Sequence, residues 1–234
     1  MTSQRDTTEL PDFSDIPDPV EASAVQALPP SALRASFESA PRDKTRKRRM
    51  AALALSVGWL GAHLAIYGIR SDLSALSVVY VAAQVVLPLV LALASLVVAM
   101  RAGRFGLGVN IGLLAALALV GPLVFWLTGV GAPLPRAPEA GGDSWLNAFV
   151  CFDIVLAWSA VPILCAALSL RRAFPSASSW RSALVGSACG LFAGAVMNLH
   201  CANVDRFHMF FGHGIPVLVA VLVGALLMQR LARI

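Results

Sequence analysis

The stretch "SALVGSACGLFAGAVMNLHC", Ser182 to Cys201, contains no charged residue, and its glycines recur every four positions at Gly186, Gly190 and Gly194. A run of this length and composition fits a helix that crosses a bilayer, which needs about 20 predominantly apolar residues. Glycine at every fourth position lines up one small face, the feature that lets membrane helices approach closely where lipid and Leu are equally apolar. That face could serve the internal bundle or a dimer, so a homo-oligomer stays open. The run ends abruptly in "NLHC", and from Asn198 to Gly214 the chain gathers three of its four histidines.

Outward from this segment the chain is of the same kind. It is 58% hydrophobic and 13% charged with a mean hydropathy of +0.75, whereas a soluble domain carries about 25% charged residues. Six stretches are long and apolar enough to span: about 50–69, 76–100, 105–129, 146–170, 182–199 and 209–229. Unpaired backbone groups have no place in lipid, and the alternation of a membrane barrel is absent. The expected fold is therefore all-α, a six-helix transmembrane bundle formed by 50–234.

Residues 1–49 differ in character. Up to Pro41 there are seven acidic residues against Arg5 and Arg34, with six prolines, and then the basic cluster "RDKTRKRR", Arg42 to Arg49. The acidic part is expected to be a largely disordered tail, since it cannot bury enough apolar surface to offset its ordering entropy. With the amino terminus in the cytoplasm, fifteen of the 18 Lys and Arg fall on the inner side, leaving only Arg70, Arg136 and Arg206 outside. The positive-inside rule thus places both termini in the cytoplasm and the segment after Leu199 on the outer face. The basic pI of about 9.5 follows from this topology and contact with the bilayer, and calls for no direct nucleic-acid partner.

Polar groups inside the spans are few: His63, Gln84, Asn110 and Asp153, with a His63–Asp153 pair geometrically available. Pro88, Pro122, Pro162 and Pro216 read as packing features that remove one backbone bond each. No internal repeat of the transporter kind and no nucleotide-binding, zincin or Ser/His/Asp motif is visible, so no enzyme is expected. The cysteines sort by depth. Cys151 and Cys201 lie at the outer ends of spans four and five, and Cys165 and Cys189 lie deeper, about 21 Å from the outer pair in the case of Cys165. The inner pair reads as inert buried small residues, the outer pair as a redox or ligand pair facing an oxidising compartment.

His200, His208 and His213 are candidate partners of that pair in holding a transition metal such as Cu(I) or Zn(II). On an α-helix, however, His208 and His213 point about 140° apart, and the spacing matches no standard metal motif. No cofactor is established by these residues. Phe207, Phe210 and Phe211 read as interfacial aromatics.

Cys151, Pro162, Arg171 and Arg172, the glycine face of span five, and Leu199, His200, Cys201, His213 and Gly224 together resemble the NrsF family, negative regulators of sigma factor that are multi-pass membrane anti-sigma factors. The overall plan is also similar to the CarR type. The resemblance implies that the cytoplasmic amino-terminal segment sequesters an alternative sigma factor of the extracytoplasmic-function type. It also implies that an outer-face signal, oxidative, metallic or derived from light, acts on Cys151 and Cys201 to release it. Apolar anchors for such a partner are Leu10, Phe13, Ile16, Leu33 and Phe37. This tail is longer and more acidic than the leader of the family. The alternative reading is a small transporter or metal-handling membrane protein that uses the outer Cys/His loop as its mouth; a haem protein with His63 and His200 as axial ligands is a third.

Overall fold

A computed structural model describes residues 42–100, 110–131, 144–170 and 179–232. The anchors Leu10, Phe13, Ile16, Leu33 and Phe37 lie outside the described residues, as do Arg171, Arg172 and the first five residues of the expected third span. The described chain is all-α. Helix α1 is Arg42–Tyr67, and α2 comprises Val78–Val81, a π turn at Ala82–Val86, and Leu87–Met100. Helix α3 is Ile111–Trp126 followed by a π turn at Leu127–Gly131; α4 is Ser144–Leu170 and α5 Ser179–His200. Helix α6 runs as Arg206–His208, a π turn at Met209–Gly214, and Ile215–Ala232. All six are long and apolar enough to cross a membrane.

The ends of these helices have local causes. Gly68 terminates α1 with φ +83, the left-handed conformation a Cβ disfavours, and its N–H returns to the Leu64 carbonyl at 2.9 Å. The side chains of Ser77, Asn110 and Asp205 accept from the N–H of Tyr80, Gly112 and His208 and so cap α2, α3 and α6. Asn110, expected as a polar group within a span, is thus a cap. Asp205 starts the sixth helix three residues earlier than hydropathy suggests, which places His208 in the helix rather than in the loop before it.

Helix α5 occupies the centre. Seventeen of the 22 residues of Ser179–His200 are buried, against 6% of Met50–Tyr67 in α1. The glycine face is taken up inside the bundle. A Cβ on Gly186 would run into the backbone carbonyl of Ala220, one on Gly190 would stand 2.9 Å from Ala220 Cβ, and one on Gly194 2.9 Å from Phe125 Cζ. Gly224 returns the fit from α6, since a Cβ there would lie 2.6 Å from Gly186 Cα. Small residues thus let α5 and α6 cross nearly backbone to backbone, gaining dispersion contacts that lipid cannot supply. Large apolar residues such as Ile66, Val78, Leu146, Leu222 and Leu226 point outward, while Gln84, Asn198, His208 and His213 are buried.

Two of the π turns end just before a proline. Pro88 has no N–H for the carbonyl of Gln84, and Pro216 none for that of Gly212; the widened turn accommodates the missing bond and the ring. At both places the wider turn carries polar side chains into the core: Gln84 from α2 and His213 from α6.

Candidate metal and thiol centre

Cys151 enters from the first half of α4, and Cys201 follows the last residue of α5, its N–H bonded to Met197 O at 2.8 Å. Their sulfurs stand 3.7 Å apart, both as free cysteines, with the Cys151 thiol donating to Cys201. His208 Nε2 lies 3.2 Å from Cys201 Sγ, and the rings of His208 and His213 are 5.1 Å apart. One ligand atom from each of Cys151, Cys201, His208 and His213 falls within a set whose members all lie within 4.8 Å of one another. The hydrogen bond from Cys151, opposed by burial and reinforced by His208, holds Cys201 below the ordinary thiol range.

The 140° separation expected for the two histidines does not occur. Bonds in a π turn run from residue i to i+5, so five positions make little more than one turn and bring His208 and His213 to the same side. His200 is not part of the group. Its Nδ1–H donates to Gly68 O at 3.0 Å, and its ring meets Tyr67 and Trp158. His63 donates from Nδ1 to Trp59 O and packs on Trp158, while Asp153 is exposed; no His63–Asp153 ion pair occurs among the described residues. Trp158 thus packs against both His63 and His200, the axial pair of the haem reading. Of the inner cysteines, Cys189 is buried and Cys165 half-buried, both free.

Two sets of contacts that sequence reading did not foresee support the centre. The first is that of Arg70, 6% exposed, whose Nε and Nη2 grip Asp72 at 2.7 Å each while Nη1 and Nη2 donate to the carbonyls of Cys201 and Ala202 at 2.8 and 3.1 Å. Its own N–H donates to Leu199 O at 2.9 Å. Burial pushes the guanidinium down, but the hydrogen bond and charge of Asp72 outweigh it and leave it raised; the same hydrogen bond holds the Asp72 carboxyl below its usual range. A cue was present, because Arg70 is one of three cations left on the outer side and an acid follows two residues later. The second is a buried chain, Thr128, Gln84, Asn198 and His213, joined at 2.6, 3.2 and 2.7 Å. Its cue was Pro88 four residues beyond Gln84.

The aromatic residues close the centre laterally. Trp145 stacks on Phe207 and Phe211 at 5.3 and 5.7 Å, Phe149 and Phe152 meet Phe211, and Phe210 meets Trp126. These contacts tie α6 to α4 and α3 at the level of the sulfurs.

Fold and centre define a multi-pass membrane protein with a buried Cys/His group at one end of its bundle. The chain belongs to the NrsF family, "Negative regulator of sigma F", whose family model matches residues 33–234. It is accordingly a negative regulator of a sigma factor, from a family of regulators and not of enzymes, and a sigma factor is its partner. No curated protein and no solved structure matches the chain.

Proposed function

We propose that the chain holds an alternative sigma factor of the extracytoplasmic-function type at the inner membrane through its cytoplasmic segment 1–49. In this reading the 50–234 bundle releases that factor when a soft metal ion enters the Cys151/Cys201/His208/His213 group on the outer face. The fifteen-to-three distribution of Lys and Arg supports that orientation. The observation that carries the sensing reading is the 3.7 Å between the two sulfurs. Two thiolates on a tetrahedral ion at about 2.3 Å stand about 3.8 Å apart. A disulfide instead requires closure to about 2.05 Å. Two sulfurs and two imidazoles suit Zn(II) or Cu(I), and ligation displaces the thiol protons while the neutral imidazoles bind through a ring lone pair.

A route to the cytoplasmic segment lies in α1. This helix begins at Arg42, in the basic cluster, and its contacts with the bundle concentrate in its outer half, where Leu60 and its neighbours Trp59 and Leu64 pack with Cys151, Val155 and Trp158. Arg70 and Gly68, just beyond its end, bond directly to residues 199–202. A shift of Cys201 toward a metal therefore pulls on the end of α1, a helix with little else to hold it. The family match begins at residue 33, which favours Leu33 and Phe37 as sigma contacts over Leu10, Phe13 and Ile16.

The test uses the full chain in nanodiscs, co-purified with the sigma factor it retains. Addition of Zn(II) or Cu(I) is expected to release the sigma factor and a chelator to restore retention. Retention unchanged by either metal at saturating occupancy, together with release by a thiol oxidant, would transfer the sensing role to a disulfide.

A further inference from the structure

The four groups that form the proposed centre are not equally prepared for a metal, and the difference originates in Asn198. This residue is 1% exposed in the last turn of α5. Its Nδ2 donates to the backbone carbonyl of Gln84 at 3.0 Å and to Gln84 Oε1 at 3.2 Å. A backbone carbonyl only accepts, so the amide has one orientation, and Oδ1 is the atom 2.7 Å from His213 Nδ1. The far end of the chain is fixed in the same sense. Thr128 donates its hydroxyl proton to the carbonyls of Val124 and Phe125, leaving its oxygen to accept from Gln84 Nε2 at 2.6 Å.

Every donor and acceptor in this series is thereby assigned, and His213 must carry its proton on Nδ1. Its Nε2 is then a bare lone pair on a fully buried ring, and no hydrogen-bond partner meets it. An orphaned acceptor in such a place bears its desolvation penalty uncompensated, and a metal ion removes that cost. Ligating histidines generally hand their other ring proton to a fixed acceptor in this way. Pro88 contributes because its missing N–H leaves the Gln84 carbonyl free for a donor from α5.

We infer that Asn198, oriented by Gln84, is a positioning residue that holds His213 as the Nδ1–H tautomer and so presents Nε2 as a preformed metal ligand. This rests on the metal reading of the Cys151/Cys201/His208/His213 group. Asn198 touches no metal itself, and its effect passes through the imidazole.

The experiment is a titration of the full-length protein in nanodiscs, reduced and anaerobic, with Co(II) as the coloured probe and Zn(II) as competitor. The wild-type protein is expected to give the visible bands of a tetrahedral two-sulfur, two-nitrogen site. Asn198→Leu is expected to weaken Co(II) and Zn(II) binding about 10–100-fold, with the spectrum of His213→Ala, while Asn198→Asp, which keeps an acceptor for Nδ1–H, restores the wild-type spectrum. Wild-type affinity and spectrum in Asn198→Leu overturn the positioning role and leave the metal site intact. Absence of any Co(II) or Zn(II) binding by the wild type overturns the metal reading itself. Should Asn198→Leu not fold, ¹⁵N-histidine spectra of the metal-free wild type decide, with His213→Gln assigning the signal: a protonated Nδ1 supports the role, and a protonated Nε2 overturns it.

Discussion

His208 and His213 face each other, ring centroids 5.1 Å apart, because the turn between them is a π turn that brings residues five positions apart to one side. Gly212 within that turn lies against α4: a Cβ there would stand 2.9 Å from Ala148 O and 3.3 Å from Cys151 Cβ. Backbone cannot yield as a side-chain tip does, so Gly212→Ala should force α6 away from α4 at a cost of about 1–3 kcal/mol. The expected result is a lowered melting temperature and loss of the four-ligand Co(II) spectrum. Gly129→Ala is the control, since its Cβ meets Gln84 and Met209 at 3.5 Å, an ordinary contact. Equal behaviour of the two variants would show that the α4–α6 spacing does not set the centre.

Substitution of the proposed ligands should separate from substitution of their neighbours. Cys151→Ser, Cys201→Ser and His208→Ala are expected to weaken Zn(II) binding by about 100-fold or more, by analogy with the lower range seen for supporting residues, and to leave the sigma factor retained under metal. Cys165→Ser should respond normally. His200→Ala is the discriminating variant, for its imidazole bonds Gly68 and packs on Tyr67. It should bind Zn(II) as the wild type does yet release sigma factor poorly. A matching loss of Zn(II) affinity in His200→Ala would place that residue among the ligands.

The six spans were legible because hydropathy and length report directly on the bilayer, and the glycine repeat of α5 reported on close packing. The thiol pair was legible because depth along a helix is simple arithmetic. His208 and His213 were candidates, but their convergence was not legible, since α periodicity sets them apart and only the π turn before Pro216 brings them together. Asn198, Arg70 and the partners of Gln84 escaped for a related reason: each is settled by a hydrogen bond to a segment distant in sequence, and a single polar residue in an apolar run does not say which neighbour it meets.

Arg70 fixes the backbone of Cys201 from outside the centre. Arg70→Gln leaves the carbonyls of Cys201 and Ala202 without their charged donors and Asp72 without its partner, a loss of about 2 kcal/mol read as a lowered melting temperature with metal-free protein. The pH dependence has a definite sign. Asp72 is depressed in the folded protein, so its contribution is present above the ordinary carboxylate pKa of about 3.9 and is lost as pH falls through the lower folded value. The difference in thermal stability between wild type and Asp72→Asn should therefore be constant from neutrality to about pH 5 and close only below the usual carboxylate range. A difference that grows on acidification would contradict the clamp.

Sigma capture should depend on the part of the tail that the family match includes. Of the apolar anchors, Leu33 and Phe37 fall within 33–234 and Leu10, Phe13 and Ile16 do not. A full-length bundle lacking residues 2–32 is expected to retain the sigma factor with a slower association rate, because it loses six of the seven acidic residues that precede Pro41 and with them most of the long-range attraction to a basic partner. Leu33→Asp with Phe37→Asp in the intact chain should instead speed dissociation, since apolar anchors act in the bound state. Binding kinetics on nanodisc-immobilised protein distinguish the two. Undiminished retention in the double variant, with loss of capture on removal of 2–32, would move the contact to the acidic segment around Leu10, Phe13 and Ile16.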